Sequence, residues 1–208
     1  MNEIYRDPAE RRKFMESKGL SYLSRSIYKD VSVFLKDQKT SPYYLDNHEE
    51  FRTLSSDYKD KIKEAWMADV SIRLVSEDVG YGLFAEADMN PGDILAEYAG
   101  VVQPGEDLVL DPDTAERPPE GFETDYTWDY PDAWYEDLLF EVNAGKMGNE
   151  LRYINHSFEA NLAVEHTLID NRWVIFFVAQ QFIRAGTQFT VDYGEEYWSG
   201  GFRELILF

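Results

Sequence analysis

Apolar residues fall first on a helical beat and then on a strand beat. Over residues 46–68, Phe51, Leu54, Tyr58, Ile62, Ala65 and Trp66 recur at steps of three and four, which places them on one face of a helix. Residues 7–40 read as another helical stretch, because Asp7-Pro8 suits a helix start, and Ser41-Pro42 breaks the two apart. From Ser71 onward the apolar runs are short, at 72–75, 83–85, 94–98, 173–179 and 189–193. Each is bounded by Gly, Pro, Asn or Asp, so they read as strands of a mainly β domain. Asp170-Asn171, between the runs 164–169 and 172–178, predicts a hairpin turn. Residues 103–121 hold four of the eight prolines and many acids, and read as a loop inserted over the surface. The expected class is mainly β with short helices (α+β): a helical N-terminal region over 1–68, then a β domain over 69–208. The N-terminal region reads either as a cap or oligomerisation element, with a homodimer as one form, or as cover for an open sheet edge.

Composition narrows the class. With 44% hydrophobic and 15% aromatic residues, the 208-residue chain is too rich to stay disordered despite 29% charged residues. No run approaches eighteen apolar residues, and the charged start has no apolar stretch behind it, so neither a spanning helix nor a secretory signal is expected. A soluble, intracellular protein is the expectation. Cysteine is absent, which excludes disulfides and thiolate metal sites. His48, His156 and His166 lack the close spacing of a zinc helix motif, so no metal is expected. The net charge of -20 is unevenly spread: residues 1–68 hold thirteen Lys/Arg and twelve Asp/Glu, whereas 69–208 hold seven and twenty-eight. Such a field repels nucleic acid and favours a basic polypeptide partner, although acidity also serves solubility alone, and no membrane partner is expected.

Four short motifs follow one another in the β region. They are Gly80-Tyr81-Gly82-Leu83-Phe84-Ala85, Glu97-Tyr98-Ala99-Gly100, Arg152-Tyr153-Ile154-Asn155-His156-Ser157, and Val191-Asp192-Tyr193-Gly194. Taken alone, the paired glycines mean a turn or bulge, the Asn-His-Ser triplet a capped turn, and one tyrosine among fourteen an ordinary core residue. In this order, the set resembles the SET-domain protein lysine methyltransferases, and the resemblance covers about residues 70–198.

The resemblance implies a SET β-clip in which the C-terminal segment threads past the Asn-His-Ser loop in a pseudoknot-like arrangement, preceded by a small helical N-terminal element. It implies S-adenosylmethionine as cofactor and methylation of lysine on a basic protein such as a histone tail or histone-like protein. The alternative is a catalytically silent SET-fold module that binds basic tails. Tyr193 matches the catalytic tyrosine, Tyr98 a second tyrosine of the lysine channel, and Tyr126 and Val191 further channel wall. Tyr81, Gly82, Arg152, Asn155 and His156 match cofactor-binding positions. Phe158 stands where many members have cysteine, and no cysteine-rich module follows Tyr193, so the chain resembles compact zinc-free bacterial or viral members. Tyr197 and Trp198 are then candidates to pack against adenine; as an alternative they are core or interface aromatics. Thr187-Gln188 stand where acids are common, and Asn143 where aspartate is usual. The compartment would be nuclear if the substrate is histone, or that of a secreted effector if the source is bacterial. A small Val191 favours di- or trimethylation.

Overall fold

The computed structural model describes residues 3–29, 36–104, 126–131, 140–195 and 197. Chain order begins with β1 (Ile4–Tyr5), α1 (Pro8–Ser17), β2 (Ser21–Tyr22) and β3 (Ile27–Tyr28). The helices α2 (Pro42–Asp46) and α3 (His48–Lys63) come next. The strands β4 (Val70–Ser76), β5 (Gly80–Ala85), β6 (Ile94–Glu97), β7 (Val101–Pro104), β8 (Thr127–Asp129) and β9 (Phe140–Asn143) follow. The last group is β10 (Met147–Gly148), β11 (Asn155–His156), β12 (Leu162–Ile169), β13 (Arg172–Ala179) and β14 (Thr190–Val191).

The helical reading of residues 7–40 is corrected. Asp7 caps α1 through the Ala9 and Glu10 amides, with Pro8 in the first turn, but the helix ends at Ser17 and Gly19 turns the chain at φ +77°. Beyond it the backbone is drawn into strand pairing with distant segments: β2 runs parallel to β10, and β3 parallel to β7. Tertiary pairing overrides local propensity here. Upstream, β1 covers the free edge of β4 in the sheet β1-β4-β5, and β3 is the edge of the sheet β3-β7-β9-β8. The expected helix over 46–68 is realised as α3, which stops at Lys63 because Ala65 adopts φ 53°. Trp66 therefore falls outside the helix and is 45% exposed. Of the 103–121 loop, residues 105–121 lie outside the described residues.

A third sheet, β12-β13-β6, separates two hydrophobic layers. On one face of β13, Trp173, Ile175, Phe177 and Ala179 enter the main core; on the other, Val174, Phe176 and Val178 meet Leu54, Tyr58 and Ile62 of α3. Both faces are covered, which explains why this strand is a continuous apolar run rather than an alternating one. The Asp170-Asn171 turn has φ 50° and 65° at its two central residues, as a type I′ hairpin requires. Finally, β11 pairs in parallel with β14, so the C-terminal segment lies along the Asn-His-Ser loop.

Candidate active site

The third motif meets the fourth because β11 and β14 pair. Asn155 sits opposite Thr190 and His156 opposite Val191, which brings Tyr193 to the end of the Arg152–Ser157 segment. Asn161 holds this junction: its side chain donates to the Gln188 carbonyl at 2.8 Å and accepts from the Thr190 amide at 3.0 Å. His156 Nδ1 accepts from the Tyr193 amide at 3.2 Å. Burial lowers the His156 pKa, against the pull of Asp192, so the ring is neutral with the proton on Nε2.

A cavity of about 530 Å³ opens beside Tyr193. It gathers six of the sequence-predicted site residues, Tyr98, Tyr126, Arg152, Val191, Tyr193 and Tyr197. Both principal tyrosines have their hydroxyl protons fixed. Tyr193 donates to the Ile154 carbonyl at 2.6 Å, and Tyr98 to the Tyr126 carbonyl at 2.7 Å. Each phenol oxygen is left with acceptor capacity toward the cavity. Desolvation, reinforced by Tyr193, raises the Tyr98 pKa far above its ordinary value of 10.0 and keeps it a neutral phenol. Trp128 and Phe177 complete the aromatic wall. Phe177 stacks on Tyr98 at 5.7 Å, and Trp128 lies edge-on to Phe177 at 5.6 Å and to Tyr193 at 6.4 Å. No sequence motif marks either residue as a site candidate, although Trp128 lies two residues past the candidate Tyr126 in Asp125-Tyr126-Thr127-Trp128.

The other predicted residues lie around the contact of β5 with β11. Asn155 Nδ2 donates to the Tyr81 carbonyl at 3.2 Å. A Cβ on Gly82 would come within 2.9 Å of Val75 Cγ2, 3.1 Å of Gln188 Cδ and 3.2 Å of Asn155 Nδ2. The glycine is therefore needed for the packing of these side chains. Gly82→Ala is expected to cost about 1–3 kcal/mol through overpacking; a thermal melt would check it. Arg152 donates through Nε to the Ala144 carbonyl at 3.0 Å and through Nη2 to the Gly145 carbonyl at 3.2 Å, and its guanidinium lies 3.8 Å over the Tyr126 ring. It thus ties the Tyr126 wall to the turn before β10. Tyr197 packs edge-on against Tyr193 at 4.7 Å, on the channel side. Trp198 lies outside the described residues. Phe158, 64% exposed, stands edge-on to His156 at 4.5 Å.

A family model described as the SET domain matches residues 80–194, more than half of the chain. The chain belongs to the SET-domain family. Its curated relatives include the histone-lysine N-methyltransferase EZH2 of Chaetomium thermophilum, 30% identical over 121 residues, which cover 58% of this chain and 8% of that protein. Another is the putative histone-lysine N-methyltransferase ASHH4 of Arabidopsis thaliana, 30% identical over 123 residues, covering 57% of this chain and 31% of the relative. The chain thus spans less than a third of the length of either. Among solved structures, ATXR5 in complex with histone H3.1 aligns with a TM-score of 0.62 at 14% identity over 91% of both chains, and shares the SET fold. The polycomb repressive complex 2 of Chaetomium thermophilum aligns with a TM-score of 0.50 at 22% identity, over 71% of this chain and 19% of that one. Among the described residues, no helix is long and apolar enough to cross a membrane.

Proposed function

We propose that this SET domain transfers a methyl group from S-adenosylmethionine to lysine side chains of a basic protein, a histone or a histone-like chain. The observation that carries the reading is the pair of phenol oxygens, Tyr98 and Tyr193, held in one aromatic cavity with their protons already donated to backbone carbonyls.

The residues around Gly82 fit the cofactor. The Gln188 side-chain nitrogen is buried there with no hydrogen-bond partner among the described residues, a donor in want of an acceptor. Tyr81, Gly82, Arg152, Asn155 and His156 would hold the cofactor, and Tyr197, which lines the tyrosine cavity, would border it. When bound, S-adenosylmethionine supplies a methyl group on a sulfonium sulfur.

The chain's own residues do the rest by position. A lysine amine has a pKa of about 10.4 in water and must lose its proton before it can act as a nucleophile. The walls of Tyr98, Tyr126, Trp128, Phe177 and Tyr193 strip water from it, which disfavours the ammonium form. The Tyr193 and Tyr98 oxygens then accept from the amine N–H groups and aim its lone pair. The same rings accommodate methylated ammonium by cation-π attraction, and the small Val191 beside them leaves room for it, consistent with di- or trimethylation.

The excess of acid over residues 69–208 favours a basic partner, and a histone substrate would place the protein in the nucleus. Incubation with radiolabelled S-adenosylmethionine and core histones is expected to label lysine in wild type and far less in Tyr193→Phe. Tail binding without label in either protein would instead identify a silent binding module.

A further inference from the structure

The cavity, at about 530 Å³, is larger than one lysine side chain requires, and its floor shows how the extra space is organised. Val164 lies directly opposite Phe177, and His166 opposite Ile175, in the antiparallel β12–β13 ladder. All four line the cavity, so its floor is two successive cross-strand pairs on one face, about 7 Å apart along the strand. The Phe177 pair lies under Tyr98 and belongs to the methyl-transfer end. The Ile175 pair ends at Tyr43 of α2, whose hydroxyl is 2.6 Å from His166 Nε2 and whose ring stacks on the imidazole at 5.9 Å. Burial lowers the His166 pKa against the pull of Glu50, so the ring is neutral and shares a single hydrogen bond with the Tyr43 hydroxyl through Nε2.

Two carboxylates bear on this second end, Glu50, whose charge acts on His166 and Tyr43, and Asp129. Asp129 is exposed, lines the cavity, and forms no ion pair among the described residues. Asp129 lies between Trp128, which packs on Phe177 and Tyr193, and Tyr130, which accepts from the Trp173 amide at 3.0 Å; the Trp173 ring packs against both Tyr43 and His166, so the segment that carries Asp129 runs from the methyl-transfer end of the cavity towards theirs.

We propose that the cavity has two seats: one for the lysine that is methylated, and one between Tyr43, His166 and Asp129 for an arginine two positions away in an extended substrate. Side chains two residues apart on an extended peptide point the same way with the same spacing, about 7 Å, as the two pairs of the floor. Arginine suits the second seat because its stem covers Val164 and Ile175, its planar guanidinium stacks on Tyr43, and Asp129 supplies the counter-charge. Tyr43 lies outside the matched SET segment, so the seat is a specificity device contributed partly by the N-terminal region. The inference rests on the lysine methyltransferase reading for the identity of the first seat.

The test uses the full chain with S-adenosylhomocysteine and fluorescent peptides that carry one lysine in a neutral background, with a single arginine walked along them. Affinity is read by anisotropy and methyl transfer is measured in parallel. Arginine at position -2 or +2 is expected to tighten binding by about five- to tenfold over alanine, the worth of one ion pair plus a cation-π contact. Arginine at the other positions should gain about twofold or less. Asp129→Asn should shrink the gain at the preferred position, and Asp129→Lys should transfer the preference to a glutamate there. An equal gain at every position, or an undiminished gain in Asp129→Asn, would overturn the second seat while leaving methyl transfer standing. Positional preference that responds to Asp129, with no transfer of label, would uphold the seat and remove the enzymatic reading.

Discussion

Tyr193→Phe is expected to lower kcat by on the order of 10²-fold while leaving the peptide KM within about threefold. The substitution deletes one oxygen and keeps the ring, so the wall against Trp128 and Tyr197 stays in place and the substrate is still bound. On the proposed reading, what is lost is the acceptor that would aim the amine. The Ile154 carbonyl also loses its 2.6 Å partner, which costs about 1–3 kcal/mol of stability and lowers Tm by several degrees. Steady-state transfer measured well below the melting temperature separates the two effects. A fall in kcat smaller than about threefold would remove the orienting role of Tyr193, and a loss carried mainly by KM would make it a binding residue.

The residues that define this site were unequally legible in the sequence. Tyr98, Tyr126 and Tyr193 could be named because each sits in a short motif, and the fold then places all three on one cavity. Phe177 could not, because on a strand buried on both faces all seven positions after Arg172 are apolar and none stands out. The side-chain clamps were also invisible. Asn161 holds Gln188 and Thr190 from 27 and 29 residues away, and Asn149 donates to the Glu97 carbonyl at 2.7 Å across 52 residues. An asparagine next to a turn gives no hint of such a partner. Misreading residues 7–40 as largely helical has the same origin, since two-residue strands such as β2 and β3 are too short to show a period of two. They exist because β10 and β7 offer an edge, and that is a property of the assembled sheet.

The same N-terminal region supplies the second large prediction. Arg11 on α1 reaches Glu150, the first residue of the 3₁₀ turn that leads into Arg152 and Asn155, with Nε 2.8 Å from Oε1. The two side chains are 7% and 1% exposed. Arg11 Nη1 also donates to the Val70 carbonyl at 2.9 Å and to the Arg6 carbonyl, so one guanidinium joins the entry to α1, the start of β4 and the turn. Removing one partner leaves a buried charge unmatched, which typically costs about 3–5 kcal/mol, whereas replacing both with well-packed apolar residues is often near neutral. Arg11→Met is therefore expected to lower stability by about that amount, and Glu150→Leu similarly. The double variant should recover most of the loss, as denaturant titration across the double-mutant cycle would reveal. Recovery of stability need not restore the site. The pair fixes where the turn sits relative to Phe14, whose ring packs on Tyr81 at 4.6 Å and on Tyr153 at 5.8 Å, and these two aromatics flank the Asn155 contact with β5. If the ion pair specifies this geometry, the double variant binds S-adenosylhomocysteine about three- to tenfold more weakly than wild type at matched stability. Equal affinity would show that Arg11 and Glu150 hold the turn by bulk alone.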